Sequence, residues 1–320
     1  MNAIASLPVF VAVVECGSFS LAAKQLNLTK SAISKRINQL EDDLGIRLLN
    51  RTTRKLSLTE AGRRYFEYAS QAVNLAQQGV DAVSELQGSP QGRLKITAPM
   101  SFGVLHVAPL ISEFLARYPK IEVDLQLEDA MVDLVEQGFD LGIRIGELAT
   151  SNLVAKRLAP CKSVLCASPA YLEEFGVPTK PSDLVTHNCL RYSYFRGGVE
   201  WMFINSGNEY KVLPKGNFVV NNSEAIRQLL LRDSGIAQLP TFIAAKDFAA
   251  GNLKPLMEEF SLPEHAIYAV FPERKHMPLK VRVFIDFISE KLGTDTPYWD
   301  RYWSIRIPTD EYTCFAEISY

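Results

Sequence analysis

The segment Gly17–Gly62, GSFSLAAKQLNLTKSAISKRINQLEDDLGIRLLNRTTRKLSLTEAG, determines how the first part of this chain folds. Residues 29–44 in its centre predict an amphipathic helix, because apolar residues recur there at steps of four, three and four. The residues that share this apolar face are Ile33, Ile37, Leu40 and Leu44. Thr29 is placed to cap the start of the helix, and Gly45 is placed to end it.

The opposite side of this helix carries short polar and cationic side chains, which are suited to contact base edges and phosphates. A shorter helix over residues 18–26 precedes it, and its small pair Ala22-Ala23 leaves room for another helix to cross closely. Two helices joined by a tight turn place the second one in a major groove. The candidate DNA contacts on that second helix are Thr29, Lys30, Ser31, Ser34, Lys35, Arg36 and Asn38. The two adjacent cations should hold phosphates, and the residues of the first turns should lie nearer to base edges.

A basic hairpin is expected after this helix. Residues 46–49 and 56–58 are short apolar runs that predict two strands around the basic segment 50–55. We interpret the hairpin as a β-wing whose Arg51 and Arg54 hold phosphates. The alternative is a solvated hairpin beside an ordinary helix pair, and for the helix pair alone the two interpretations are evenly balanced. The wing and the charge distribution together favour DNA binding.

The charge of the chain is unevenly distributed. Its 320 residues suggest two or three folding units, and 47% of them are apolar, which suffices for real cores. The net charge is only −2, yet residues 1–64 carry ten Lys or Arg against five Asp or Glu, so that the remainder carries −7. A basic N-terminal part on an acidic body confines nucleic acid to that part.

The first sixty or so residues resemble the winged helix-turn-helix of LysR-type transcriptional regulators. The resemblance rests on residues at fixed offsets: Gly17-Ser18-Phe19-Ser20, Ala22-Ala23, Leu26, Ser31-Ala32-Ile33-Ser34, Ile37, Leu40-Glu41, Leu44-Gly45, Leu48-Leu49, Arg51, Leu58-Thr59 and Ala61-Gly62. It implies a homotetrameric transcription factor that binds pseudo-palindromic double-stranded DNA as a dimer of dimers. It also implies a periplasmic-binding-protein-like sensor domain, a small-molecule effector of unknown identity, and RNA polymerase as a further partner.

Residues 59–87 predict a long helix capped by Thr59. Apolar residues recur along it at alternating steps of three and four, in a heptad pattern: Phe66, Ala69, Val73, Ala76, Val80 and Val83. This stripe fits either the helix's own domain or a partner helix. Because the preceding domain is already complete, we favour a partner helix and therefore a homodimer through residues 59–87. The segment 88–92, GSPQG, ends the helix and marks a domain boundary.

Beyond this boundary strands alternate with helices, which predicts parallel, doubly wound α/β sheets. The predicted strands are residues 93–98, 121–127, 140–145, 153–158, 163–167, 218–221, 235–239 and 266–271; the predicted helices are 104–117, 223–232 and 280–291, with a helical turn at 133–137. The family resemblance implies two lobes, residues 92–162 with 265–293, and residues 163–264. The whole fold is then α+β, with a winged helix-turn-helix (1–58), a linker helix (59–88), the effector domain (89–295) and a C-terminal tail (296–320). The tail is aromatic and should pack on the body or on another subunit.

A cleft between the lobes is the candidate ligand site, because such sheets bind ligands where strand ends meet helix N-termini. Two strand-to-helix junctions, residues 94–102 and 218–223, carry hydroxyl or amide groups there. Taken alone, each of them is better explained by plain helix capping. In the resembling family, positions matching these junctions line the effector pocket. The candidate effector contacts are Ser101, Phe102, Arg144, Ser193, Asn221 and Asn222. Arg144 is equally consistent with an ion pair, and a small polar or anionic metabolite is expected.

Motifs of catalysis and cofactor binding are missing from the sequence. There is no GxSxG, GxGxxG, phosphate-binding loop or HExxH, and the four histidines lack partners at metal-ligand spacing. We therefore expect no enzyme activity, no cofactor and no metal. The five cysteines form no CxxC pair, and no apolar run reaches eighteen residues, so a cytoplasmic protein with reduced thiols is expected.

Two other classes of protein remain as rivals. A solute-binding protein or an enzyme with an incidental helical N-terminus would require a signal peptide or a catalytic constellation. A nucleoid-type DNA binder would have no use for two hundred residues of sensor-like sequence. A DNA-binding regulator controlled by an effector fits both parts of the chain.

Overall fold

The computed structural model describes residues 3–51, 56–85, 88–146, 152–194, 199–273 and 277–301. Its first three helices are α1 (Ala3–Cys16), α2 (Phe19–Gln25) and α3 (Lys30–Leu44). These helices and the wing that follows them form one unit, which we call the head. The Thr29 hydroxyl caps α3 by accepting a hydrogen bond from the N–H of Ala32 at 3.2 Å. Gly45 ends the helix in the left-handed conformation, with φ of 67°. Both predicted ends of the helix are thus confirmed.

The head encloses its own apolar core where the three helices meet. Phe10 of α1, Ala22 of α2 and Ile37 of α3 are fully buried there. Leu44 departs from the predicted apolar face, because its side chain is 39% exposed. It lies in the last turn of α3, beyond the last buried position of that helix, Glu41.

Two short strands follow, β1 (Leu49–Arg51) and β2 (Leu56–Leu58), which pair antiparallel as expected for a wing. The first strand begins later than predicted, and Ile46 is exposed rather than paired. The tip of the hairpin, residues 52–55, lies outside the described residues.

The long helix α4 (Glu60–Glu85) starts against the wing. Thr59 caps it, because its hydroxyl accepts a hydrogen bond from the N–H of Gly62 at 2.9 Å. A Cβ at position 62 would lie 2.0 Å from the carbonyl oxygen of Leu48. Only glycine therefore lets α4 approach the chain that leads into the wing so closely.

The heptad stripe of α4 is divided between two environments. Its first three members pack against the core of the head: Phe66, Ala69 and Val73. For this half of the helix the structure agrees with the alternative, packing on the helix's own domain, because α4 covers an apolar side that α1 to α3 leave open. Ala76 and Val80 are exposed, and the side chain of Val83 lies outside the described part of the chain.

Strands and short helices alternate in the described residues after α4. The strands are β3 (Gly92–Ala98), β4 (Ile121–Leu127), β5 (Leu141–Ile145), β6 (Leu153–Cys161), β7 (Ser163–Ala167), β8 (Arg191–Tyr192), β9 (Trp201–Asn205), β10 (Asn208–Val212), β11 (Val219–Val220), β12 (Ala237–Pro240), β13 (Lys254–Leu256) and β14 (His265–Pro272). The helices are α5 (Met100–Phe102), α6 (Ala108–Arg117), α7 (Pro169–Phe175), α8 (Ser223–Leu230), α9 (Thr241–Ala250) and α10 (Leu279–Leu292), with a π-helix at Gly103–Val107 and a 3-10 helix at Pro181–Thr186.

The first lobe is built on a five-stranded sheet of order β4-β3-β5-β14-β6. β3 runs parallel to β4 and β5, as predicted. β14, however, runs antiparallel to β5 and β6, which corrects the prediction of a wholly parallel sheet. β14 joins this sheet only after the chain returns from the second lobe, so its direction is set by the return path and not by its local sequence.

The second lobe contains the sheet β12-β7-β13, the parallel pair β8 and β11, and the hairpin of β9 and β10. β7 pairs antiparallel with both of its neighbours, so the prediction of parallel pairing is wrong here as well. α7, α9 and the hairpin were not predicted from the sequence pattern.

One apolar core joins the two lobes and the start of the C-terminal tail. Phe102 of the first lobe and Phe242 of the second lie 5.2 Å apart, edge to face. Trp299 packs on both and is 4% exposed, so the predicted packing of the aromatic tail onto the body is confirmed for this residue. Residues 302–320 lie outside the described ranges. Within those ranges, no helix is both long enough and apolar enough to cross a membrane.

Candidate functional site

The first candidate surface is the outer side of α3. Lys30, Ser31, Lys35, Arg36 and Asn38 are exposed, and Ser34 is half-buried. Thr29 is exposed too, but its hydroxyl serves the helix cap and lies 3.0 Å from the Ser31 hydroxyl. The candidate contacts therefore crowd the N-terminal turns of α3, where the exposed backbone N–H groups also favour a phosphate.

The spacing along α3 separates these side chains into different directions. Ser31, Lys35 and Asn38 follow one another at steps of four and three and so form one outward stripe. Arg36 projects about 100° away from Lys35 around the helix axis. Asp42 and Asp43 are exposed at the C-terminal end, which restricts the positive surface to the first half of the helix.

The wing is tied to α3 by one buried carboxylate. Glu41 accepts hydrogen bonds from the N–H groups of Leu48 and Leu49 at 2.9 and 3.0 Å. Its second oxygen accepts a hydrogen bond from Arg47 at 2.8 Å. Charge-assisted bonds to a buried acceptor fix the wing relative to the recognition surface. Leu40-Glu41 belonged to the family pattern in the sequence, but this role of Glu41 was not predicted.

The structure leaves the two wing arginines only partly described. Arg51 is the last residue of β1, and its side chain is not described. Arg54 lies outside the described residues altogether. Their roles as phosphate contacts stay predictions.

The second candidate surface is a cavity of about 360 Å³ between the lobes. It lies where β3, β4 and β11 end, as expected for a ligand site in α/β sheets. The residues that line it are Met100, Gln126, Leu127, Glu128, Asp129, Ala130, Tyr194, Asn221 and Asn222. Of the six candidate effector contacts, Asn221 and Asn222 are among them.

Ser101, Phe102 and Ser193 do not line this cavity. Ser101 follows the cavity residue Met100, is 8% exposed, and its hydroxyl has no hydrogen-bond partner in the part of the chain described. Phe102 is fully buried in the core that joins the lobes and does not line this cavity. Successive side chains of a helix diverge by about 100°, which turns residue 102 away from the cavity side. Ser193 is exposed and bonds through its N–H to Val220 at 2.8 Å, beside the lining residue Tyr194.

Arg144 is buried in the sheet of the first lobe. Its Nη1 donates to the carbonyl oxygen of Ile143 at 2.8 Å, and Nη2 has no partner among the described residues. Burial lowers the pKa of its guanidinium, while the negative charge of Glu128 acts in the opposite direction. Arg144 is not part of the cavity wall, and none of its described neighbours forms a close ion pair with it.

The helix N-termini at the cavity already have acceptors. An Asp129 carboxylate oxygen accepts the N–H of Met100, the first residue of α5, at 2.8 Å. The side-chain oxygen of Asn222 accepts the N–H of Ala225 in α8 at 3.0 Å. Burial raises the pKa of the Asp129 carboxyl. The Glu128-Asp129 pair was missed, although its position directly after a strand was a signal for the same rule that selected the other candidates.

A buried histidine lies behind the cavity, in the π-helix. His106 Nε2 lies 3.0 Å from the carbonyl oxygen of Phe242, and Nδ1 lies 2.5 Å from the hydroxyl of Tyr298. A carbonyl only accepts, so Nε2 carries the proton and the tyrosine donates to Nδ1. Burial lowers the pKa of His106 to about 4, which keeps the ring neutral.

This histidine should make the protein labile to acid. The unfolded chain binds a proton at His106 below its ordinary pKa of 6.5, and the folded chain does so only near 4, so stability is lost as the pH falls between these values. The shift corresponds to about 3 kcal/mol of unfolding free energy. Denaturant unfolding at pH 7.5 and 5 should show a smaller pH effect in His106→Gln than in wild type. His187→Gln is the comparison, because burial also lowers the pKa of this half-buried histidine, and it should reduce the pH effect less than His106→Gln does. Equal pH effects in wild type and His106→Gln would contradict the assignment.

Two family models match the chain. Residues 4–63 match the model described as bacterial regulatory helix-turn-helix protein, lysR family. Residues 87–293 match the model described as LysR substrate binding domain. The head and the two-lobed domain are thus matched separately.

Characterised relatives are similar over most of the chain. The HTH-type transcriptional regulator CrgA of Neisseria meningitidis serogroup C is 40% identical over 295 residues, which cover 90% of this chain and 97% of the relative. The HTH-type transcriptional regulator PtxR of Pseudomonas aeruginosa is 36% identical over 286 residues, which cover 89% of this chain and 92% of the relative.

Solved structures extend this similarity to the fold. The structure of CrgA, a LysR-type transcriptional regulator from Neisseria meningitidis, matches with a TM-score of 0.59 and 37% identity, covering 91% of this chain and 99% of that one. The full-length Vibrio cholerae virulence activator AphB matches with a TM-score of 0.58 and 30% identity, covering 89% and 97%. The chain therefore belongs to the LysR family of DNA-binding transcriptional regulators, which are not enzymes, and it combines the helix-turn-helix and the effector-binding domain of that family.

Proposed function

We propose that this regulator binds operator DNA in the cytoplasm through α3 and the wing, and that a small molecule in the cavity between the lobes changes its activity. The observation that supports DNA binding by α3 is the exposed stripe of Ser31, Lys35 and Asn38 on the capped half of this helix. The cavity at the strand ends supports the effector site. A ligand that binds one relative arrangement of the lobes better than another shifts the equilibrium between them.

The chain is divided into a head (residues 1–58), a linker helix (59–88) and an effector domain (89–295). Separate apolar cores in the head and in the lobes support this division. The effector domain consists of one lobe with residues 92–162 and 265–293 and another with residues 163–264. Because Trp299 packs into the core shared by both lobes, we extend this domain past residue 295.

The regulator acts as a homodimer through α4 and assembles further into a homotetramer. Support comes from apolar side chains that α4 leaves exposed after its other face has packed on the head. Tyr68 is 74% exposed and Leu75 is 68% exposed, and they stand seven residues apart on one side of the helix. This stripe replaces Phe66 and Val73 as the proposed contact with a partner helix.

The role of α3 is tested by the salt dependence of DNA binding. A sequence selected from random DNA serves as the operator, and affinities are measured by fluorescence anisotropy over a range of salt concentrations. Lys35→Ala removes one phosphate contact, so the slope of log affinity against log salt should fall by about 0.9. The same loss is expected for Arg54→Ala, whereas Ser31→Ala should change base preference.

The control is Lys211→Ala, which removes an exposed lysine of the hairpin in the second lobe. It should leave both the slope and the affinity unchanged. A changed base preference in Lys35→Ala with an unaltered salt slope would contradict the assignment of Lys35 to a phosphate.

A further inference from the structure

The cavity between the lobes has an acidic wall. Two neighbouring carboxylates, Glu128 and Asp129, line it where β4 ends. The other described polar residues of the wall are neutral: Gln126, Tyr194, Asn221 and Asn222. No Lys, Arg or His occurs among the described lining residues. An anionic ligand would meet two like charges there and no cation among the described residues of the wall.

The two helix N-termini at the cavity are already engaged. The N-terminus of α5 bonds to Asp129 at 2.8 Å, and the N-terminus of α8 bonds to Asn222 at 3.0 Å. Arg144 is buried and does not line the cavity; its Nη1 bonds to a backbone carbonyl, its Nη2 has no partner among the described residues, and its charge interacts with that of Glu128. The backbone N–H donors that were expected to hold an anion are therefore satisfied by oxygens of the protein itself.

The hydrogen-bond acceptors of the cavity, in contrast, are not all paired with donors of the described residues. Asp129 uses one oxygen for the N–H of Met100, and its other oxygen makes no hydrogen bond with a described residue. The carboxylate of Glu128 is exposed and forms no ion pair in the described part of the chain. Behind Met100, the Ser101 hydroxyl is 8% exposed and also has no partner. The two carboxylates only accept and so call for a ligand that donates hydrogen bonds, whereas the Ser101 hydroxyl can donate or accept.

The remaining wall suits the body of an organic cation. Tyr194 lines the same cavity as the two carboxylates, and aromatic rings attract ammonium groups through their faces. Met100, Leu127 and Ala130 supply apolar surface. A volume of about 360 Å³ holds a small molecule but no macromolecule.

We propose that the effector of this regulator is a small organic cation, a primary amine or an amidinium compound, held by Glu128 and Asp129 with its body against Tyr194. The proposal rests on the proposed function, because it assigns a chemical class to the ligand of the same cleft. It replaces the expectation of an anionic metabolite.

The test uses the full-length protein and defined probes at matched ionic strength. Putrescine, benzylamine and agmatine are titrated by calorimetry, with benzoate and succinate as anionic counterparts. At least one amine should bind saturably, and neither carboxylate should. Glu128→Gln and Asp129→Asn should each weaken amine binding by roughly tenfold or more, because each removes a charge-assisted contact. Asp129→Asn retains an oxygen for the N–H of Met100, so the fold should be preserved.

The matched control is Glu122→Gln, which neutralises an exposed carboxylate on β4 outside the cavity. It should leave amine affinity unchanged. Saturable binding of the carboxylates, absence of binding by all three amines, or amine binding that both cavity variants leave unchanged would each overturn the proposal. Operator binding is measured in parallel; if it persists, only the ligand class fails, and if it is absent from wild type, the proposed function fails.

Discussion

Replacing Leu75 with aspartate should dissociate the protein into a smaller assembly and lower its operator affinity by about 100-fold. Leu75 belongs to the side of α4 that stays exposed once the helix has packed on the head. In a symmetric dimer each copy would bring one aspartate into the apolar contact, and a buried unpaired ion costs several kcal/mol. Losing the second DNA-binding head then removes the gain from simultaneous contact with two half-sites. Light scattering and anisotropy with an operator measure the two effects.

Two further substitutions on α4 distinguish a broken dimer from a damaged fold. Val73→Asp places its charge against the core of the head, so it should lower the unfolding temperature of the head itself. Gln77→Asp adds the same charge about 160° around the helix from Leu75 and should leave the assembly intact. A Leu75→Asp protein that keeps the wild-type mass would mean that the exposed stripe does not form the contact.

Replacing Trp299 with alanine should destabilise the effector domain by about 3–5 kcal/mol. The indole ring lies 4.6 Å from the His106 ring and 5.9 Å from that of Phe102, and it also contacts Phe242 across the lobes. Its loss would leave a cavity where both lobes and the C-terminal segment meet. For a domain of this size the expected fall in the midpoint of thermal unfolding is about 10 °C.

Calorimetry compares this variant with Tyr210→Ala, which removes an aromatic ring that is 41% exposed on the hairpin of the second lobe and packs edge to face on Phe260. The control should change the midpoint much less. The indole N–H of Trp299 has no partner in the described residues, so the effect comes from packing and not from a lost hydrogen bond. A midpoint within 1 °C of wild type would show that the tail does not support the lobes.

The sequence predicted the ends of α3 and most of its buried face correctly. Caps and the apolar face of α3 depend on residues three or four apart, and such contacts are made within one helix whatever the rest of the chain does. The predicted cap Thr29, the stop at Gly45 and the buried Ile33, Ile37 and Leu40 are all observed. Leu44 was misplaced, because helix periodicity does not tell how far a neighbouring helix extends.

The cleft was predictable only in its position. Strand ends that lead into helices located the two junctions, and Asn221 and Asn222 do lie on the cavity wall. The burial of Phe102 in the core was not predicted, because which side of a short helix faces a core depends on what packs beneath it. The bond from Met100 to Asp129 joins residues from two different strand ends, so no local pattern contained it.

The sequence by itself determined the order of the parts, the apolar face of α3 and the helix caps, because these follow from the spacing of neighbouring residues. The tertiary structure alone decided the antiparallel direction of β14, the division of the α4 stripe between the head and solvent, and the place of Trp299. It also decided that protein oxygens bond to the helix N-termini at the cleft. Each of these features depends on contacts between residues that are distant in the chain. Such contacts stabilise the fold only when the segments pack together, so local sequence patterns do not predict them.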